Sequence, residues 1–309
     1  MRIMTDQDLT RSQHYVARTY QKGWSPRRWQ VDGYPKDCVV WIHDLVKKQE
    51  RDTGPNALLT SNWFYESNKA APDNEHEKWF GDFESAYAKT MRFIDSILTE
   101  VEKQMPLQDL GHGLASALAE IAKRSPELMI VLKEFAALSY ARTPAMMLFK
   151  HGELKADATV GPELANVLTE PYTFIQHFRE STLLQRFKSL NIQFWISPEK
   201  GFLTCDRPCY DFGDVASGHW PLSGYDIGRR DDVAAFMPLT PRVAMLMAPA
   251  TAVFLGKKMN FAPFSTKVIT NESLDAANTM TINMAMRWVI GSERLLNIYE
   301  RREMPLRKE

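Results

Sequence analysis

From Glu77 onward the apolar positions Phe80, Phe83, Tyr87, Met91, Ile94, Leu98 and Val101 recur three or four residues apart, the period of one face of an α-helix. The spacing predicts a long amphipathic helix that ends at Pro106, because proline inside a helix removes a hydrogen bond and clashes with the preceding turn. A second helix is predicted over 107–123. A third runs from Pro126, a favourable first-turn residue, through Leu128, Val131, Leu132, Phe135 and Leu138 toward Pro144, and a fourth covers about 162–189. Near the end, Leu274, Ala277, Thr281, Ala285 and Trp288 share one face of a helix predicted over about 272–301.

On either side of this helical middle the texture changes. DCVVWIHD at 37–44 is short, β-branched and aromatic, as a strand requires, and LLTSNWFYES at 58–67 follows the polar turn RDTGPN as a second extended piece. After Asn191, the segments NIQFWIS, GFLTCD, AAFMPLT and RVAMLMA read as short strands separated by Gly and Pro turns. Polar, Pro-containing stretches at 69–77 and 152–163 read as connections. The pattern predicts an α+β protein, mainly helical with a small antiparallel sheet. It forms a single domain over 1–309, with a helical lobe from about 75–190 and 260–302 and a sheet from about 37–66 and 191–250.

Composition narrows the class. A chain of 309 residues that is 44% hydrophobic can bury a full core. Lys+Arg and Asp+Glu both number 38, so any nucleic acid must be held by a local patch rather than a global positive field. The start MRIMTDQDLTRSQ lacks the apolar core of a signal peptide, and the apolar run VAMLMAPATAVFL is broken by Pro and too short to span a bilayer. A cytoplasmic protein without a membrane partner is expected. Three cysteines, Cys38, Cys205 and Cys209, argue for reduced thiols. Cys205 and Cys209 with His219 lack the second hook of a structural zinc site. The chain contains no phosphate loop, nucleophile elbow, zincin helix or dinucleotide fingerprint. The cluster Arg27-Arg28-Trp29 reads as an exposed basic turn beside a core Trp, and RREMPLRKE as a solvated tail.

Candidate chemistry lies where polar residues fall on apolar faces, since an unpaired buried charge costs several kcal/mol. Arg142 projects within about 40° of the Leu128, Val131, Phe135 and Leu138 face, so its guanidinium needs a carboxylate or an anionic ligand. Glu84, at the edge of the Phe80, Tyr87 and Met91 stripe, is a plausible partner. Asp206 follows a predicted strand and precedes a Pro-fixed turn, placed either to present a carboxylate or simply to form the turn. His14 can act as general acid or base near neutrality, and Gln13 beside it can orient an amide or phosphate. Asn278 falls within the last helical face, where its amide must find partners.

The segments SQHYVARTY at 12–20, FLTCDRP at 202–208 and MPLTPR at 237–242 together resemble the bacterial family called domain of unknown function 4238. Gln13, His14 and Tyr15 match its Gln-His-Tyr-Val-Pro element, with Ala17 in place of the Pro. Arg142-Thr143-Pro144 matches its Arg-x-Pro element, Glu84 or alternatively Glu77 a Glu of its long helix, and Asp206 its Ser-Asp-x-Pro element with Cys205 replacing the Ser. The resemblance brings no settled activity with it.

Two function classes follow. The first is a phosphoester hydrolase, nuclease-like or nucleotide-directed, serving as a toxin or phage-defence effector. In it His14 handles the proton, Arg142 stabilises developing charge, and Glu84 with Asp206 orients them or holds a divalent cation, while Gln13, Tyr15 and Asn278 contact the nucleic acid or nucleotide. The second is a non-catalytic binding or interaction module in which the same polar residues form a structural network. An open pocket about His14, Arg142 and Asp206 favours the first, and a dry network with every group paired favours the second.

Overall fold

Along the chain the first elements are strand β1 (Ser12–His14), one helical turn α1 (Arg18–Gln21) continuing into a 3-10 turn at Lys22–Trp24, and strands β2 (Val40–Asp44), β3 (Gln49–Thr53) and β4 (Thr60–Asn62). A helical series follows: α2 (Glu75–Gln104), α3 (Leu107–Arg124), α4 (Pro126–Ala141), α5 (Pro144–Ala156), α6 (Pro162–Leu168), α7 (Pro171–Glu180) and α8 (Leu183–Ser189). Then come β5 (Asn191–Ile196), β6 (Thr204–Cys205), β7 (Tyr210–Gly213), β8 (Val233–Pro238), β9 (Val243–Ala248), β10 (Thr251–Phe254), β11 (Lys257–Asn260), β12 (Phe264–Val268), α9 (Asn271–Met284) and β13 (Trp288–Gly291). The structure, a computed structural model, describes residues 11–25, 39–55, 58–156, 159–199, 201–213, 233–254 and 257–293.

Local chemistry sets the helix starts. Asp73 Oδ1 accepts the Glu75 backbone N–H at 2.8 Å, satisfying an otherwise orphaned donor of α2. Glu75 and Glu77 in the first turn favour the positive end of the helix dipole. The α2 stripe buries Phe80, Tyr87, Met91, Ile94 and Leu98, each worth about 1.5–3 kcal/mol. Tyr87 stacks on Phe135 of α4 with ring centroids 3.7 Å apart and planes 12° from parallel. The helix predicted over 162–189 is instead three pieces. Pro171 interrupts it and starts α7, where the Glu170 carboxylate caps the Tyr172 and Thr173 N–H groups at 3.0 and 3.3 Å.

The late sequence makes more sheet than expected. One sheet has the order β12-β5-β9-β8-β7 and is mixed, because β12 runs parallel to β5. A second, β3-β2-β13-β6, is antiparallel, and β1/β4 and β10/β11 form two-stranded ribbons. All six residues of β9 are buried, which explains its unbroken apolar run. Val243, Met245 and Met247 join the core of the helical series, whereas Ala244, Leu246 and Ala248 pack with Leu274 and Ala277 of α9. The five-stranded sheet is thus covered by helices on one face and by α9 on the other.

The predicted C-terminal helix is corrected: α9 stops at Met284, and Trp288, expected on its apolar face, opens β13. Residues 294–301 of that expected helix lie outside the described residues, as do Asp37 and Cys38, Arg27-Arg28-Trp29, His219 and the terminal tail. No described helix is long and apolar enough to cross a membrane.

Candidate functional site

Arg142 ends α4 as its C-cap, where Tyr65 Oη donates to its carbonyl oxygen at 2.9 Å. Its guanidinium lies over the Phe80 ring, 5.1 Å from the centroid, and Nη1 donates to Glu84 Oε1 at 2.8 Å. The Arg142 side chain is 1% exposed and that of Glu84 21%. On α2, Glu77, Phe80 and Glu84 are spaced three and seven residues apart, so they share one helix face. Arg142, above Phe80, therefore sits between two carboxyl groups, one turn from each.

Pairing here is incomplete. Arg142 Nε and Nη2 are buried without a hydrogen-bond partner among the described residues, and so is Glu77 Oε2. Burial pushes the Glu77 carboxyl up to about 7, with Arg142 pulling it down and Glu84 and Glu66 pushing it further up. Burial also works against the charge of Arg142, but Glu84, Tyr65 and Glu77 around it hold its pKa above the ordinary value.

His14, at the end of β1, is half-buried, and its Nε2 lies 3.3 Å from the Pro55 carbonyl oxygen. Burial lowers its pKa below 6.5, opposed by the Pro55 contact and Glu84 and assisted by Arg18 and Arg142. The ring is therefore neutral at pH 7. Because a carbonyl only accepts, Nε2 carries the proton and Nδ1 keeps a free lone pair. His14, Glu84 and Arg142 are thus within one another's fields, joined by Glu77 and Arg18.

The other sequence candidates are placed differently. Gln13 is fully buried: Nε2 donates to Glu66 Oε1 at 2.7 Å, and Oε1 accepts the Tyr65 N–H at 2.7 Å. Glu66 also accepts from the Asn74 side chain at 2.8 Å and from the Asp73 N–H at 3.0 Å, tying this network to the start of α2. Tyr15 packs against Phe64 at 6.0 Å. Its hydroxyl is pushed up to about 12 by burial and by Asp206, against Arg287. Asp206 does not join the Arg142 cluster. Its Oδ1 accepts the Met286 N–H at 3.0 Å, and Oδ2 accepts those of Arg287 and Trp288 at 2.8 and 3.1 Å. Burial raises its pKa while these three bonds pull it down. Asn278 Oδ1 accepts the Leu203 N–H at 2.9 Å, and its Nδ2 donates to the Gly201 carbonyl at 3.0 Å, pinning the 201–203 turn to α9.

Sequence reading offered Glu77 only as the alternative to Glu84 and passed over Arg18 and Tyr65. Glu77 carried a usable signal, lying seven residues before Glu84 on the same face. Arg18 and Tyr65 carried none, because tertiary packing alone brings them to the cluster. Among the described residues no group of three or more His, Cys, Asp or Glu is placed to hold a metal ion. Cys205 and Cys209 are free, buried thiols whose pKa values burial raises.

Layered helices and sheets around a buried, half-paired cation between two carboxyl groups define an α+β protein with a polar cluster inside its core. The chain belongs to the family described as protein of unknown function DUF4238, whose family model matches residues 12–294, a span that contains every residue of the cluster. No curated protein and no solved structure matches it.

Proposed function

We propose that the chain is a phosphoester hydrolase whose reacting phosphoryl group is held against Arg142. The observation that carries this reading is that Arg142 Nε and Nη2 are buried without partners among the described residues, as is Oε2 of Glu77. Each unsatisfied buried donor costs about 1–3 kcal/mol, and a ligand whose oxygens accept from both removes that cost. A guanidinium offers a planar fork that suits phosphate oxygens. Neutral His14, with Nδ1 free, serves as the base that takes a proton from the attacking hydroxyl or water. Glu77, protonated for part of the time at pH 7, serves as the acid that protonates the leaving oxygen. Glu84 holds Arg142 in place. Asp206 is a positioning residue that holds the backbone N–H groups leading into β13.

The substrate class is a nucleotide or nucleic acid, and a bacterial toxin or phage-defence effector working in the cytoplasm is the setting in which we place it. The full pairing of Gln13, Asp206 and Asn278 favours a second reading, a non-catalytic module in which these groups only fix the fold. The two readings separate in an assay on RNA, DNA and nucleotides, with and without magnesium or manganese. His14→Ala should remain folded by circular dichroism and lose about a hundredfold to ten-thousandfold in rate. Folded wild-type protein that leaves every substrate intact would return the cluster to a structural role.

A further inference from the structure

A cavity of about 520 Å³ opens where α4, α5, α7 and α8 meet, a volume within the roughly 300–1,000 Å³ of small-molecule sites. It is separate from the cluster above, since none of His14, Glu77, Glu84 and Arg142 lines it. Tyr140, which does, precedes Arg142 by two positions, and this turns it about 200° away around the α4 axis.

The walls come from Tyr140 of α4, Met146 of α5, Phe174 and Phe178 of α7, and Leu183 of α8. Tyr140, Met146 and Phe178 are buried, while Phe174 and Leu183 are half-buried, so the lining is apolar from its deepest side chains to its outermost. Phe174 and Phe178 are four residues apart and share one face of α7. The aromatic walls are held from behind. The Phe178 ring packs edge-on against Trp79 of α2, with centroids 6.2 Å apart and planes at 68°, and the Tyr140 ring tilts against Phe187 of α8 at 5.8 Å. Neither Trp79 nor Phe187 lines the cavity, so these contacts fix the two rings without occupying the space they face.

Polar groups at the rim are already engaged within the chain. Ser181 Oγ donates to the Phe178 carbonyl oxygen at 2.8 Å and accepts the Leu183 N–H at 3.3 Å. Glu180 accepts from Gln176 Nε2 at 2.6 Å. Arg186 Nη2 donates to Thr182 Oγ1 at 2.8 Å, and Lys150 and Arg186 each make other interactions within the chain. His177 is exposed to solvent. A charged ligand would have to take one of these groups from its partner and would lose its own hydration against apolar walls. An uncharged ligand does neither.

We propose that this cavity binds an uncharged fused-ring aromatic molecule, with its rings against Tyr140, Phe174 and Phe178 and one edge on the Met146 thioether. Aromatic side chains hold such a ring by edge and face, and a thioether sits favourably at a ring edge. Walls fixed before binding spare the complex the ordering that a flexible pocket demands. An aliphatic molecule of similar size gains the burial alone.

Titration calorimetry on the full chain at neutral pH tests this with naphthalenemethanol as the uncharged aromatic probe. Naphthoate and naphthylmethylammonium serve as its anionic and cationic counterparts, and decanol as the uncharged aliphatic one. The expected result is saturable binding of one naphthalenemethanol, with each of the other three weaker by about tenfold or more, which is about 1.4 kcal/mol. Phe174→Ala, which removes an aromatic wall, and Leu183→Trp, which puts an indole into the space, should each weaken naphthalenemethanol to a similar degree. Thermal melting of both variants checks the fold; if Phe174→Ala no longer melts cooperatively, Leu183→Trp and the four probes decide. No saturable binding to the wild type would overturn the proposal. Naphthoate, naphthylmethylammonium or decanol binding as tightly as naphthalenemethanol, or binding unchanged in the folded variants, would overturn it too. Because phosphoester cleavage is not the readout, failure here leaves the reading of the Arg142 cluster untouched.

Discussion

Glu77 is a buried carboxyl whose charge changes close to neutral pH. Its folded pKa of about 7 stands above the ordinary 4.5 because burial disfavours the anion. Between those two values the folded chain keeps a proton that the unfolded chain has released, so stability falls as pH rises through that window and levels off above it. A shift of this size corresponds to roughly 3 kcal/mol. Glu77→Gln, which cannot ionise, should therefore raise the melting temperature at pH 8 by several degrees more than at pH 5; an equal difference at both pH values would place the carboxyl in water. The same group is read a second way in activity. His14 must lose its proton and Glu77 keep one, so the rate profile should rise through a pKa below 6.5 and fall near 7, and Glu77→Gln should lack the alkaline limb.

At the scale of elements, the junction after α9 shows how one side chain ends a helix and starts a strand. Asp206 gathers the N–H groups of residues 286–288, and Trp288 then pairs opposite Asp44 while Val289 lies opposite both His43 and Cys205. Asp206→Asn keeps one carbonyl oxygen but sets an amide donor against backbone donors. It should cost about 2–3 kcal/mol, measured as a lower denaturant midpoint with unchanged slope. An unchanged midpoint would mean that the three hydrogen bonds contribute nothing net. This junction also explains why helical periodicity overran its element. Leu274, Ala277, Thr281, Ala285 and Trp288 obey a helical period, but a strand needs so few residues that a short one hides inside it, and what stops the helix is a carboxylate some eighty positions earlier in the chain.

Across the whole molecule, the last elements complete sheets begun much earlier. β13 lies between β2 and β6, and β12 is the parallel neighbour of β5. A chain ending after residue 263 would leave the inner edges of β2, β5 and β6 without partners and remove α9 from the Ala244, Leu246 and Ala248 face. Buried backbone groups without partners are seldom tolerated. We expect that truncation to abolish the cooperative thermal transition seen by near-ultraviolet circular dichroism in the full chain. A truncated chain that still melts cooperatively would show that residues 11–263 hold a core of their own.

The long helices α2, α3 and α4 were legible from the chain because their apolar stripes are local and their ends are marked by Pro106 and Pro126. The Arg142–Glu84 pair was legible as well, since a guanidinium projecting from an apolar face demands a carboxylate and the α2 stripe offers one at its edge. The number and order of strands were not, because pairing energy comes from backbone groups whose partners lie far away in sequence. Nor was the division of the polar candidates into an incompletely paired cluster at Arg142 and the fully paired anchors Gln13, Asp206 and Asn278. Residue type announces that a buried polar group needs a partner, and only the folded backbone, which brings the N–H groups of 65, 203 and 286–288 to those side chains, decides whether it has one.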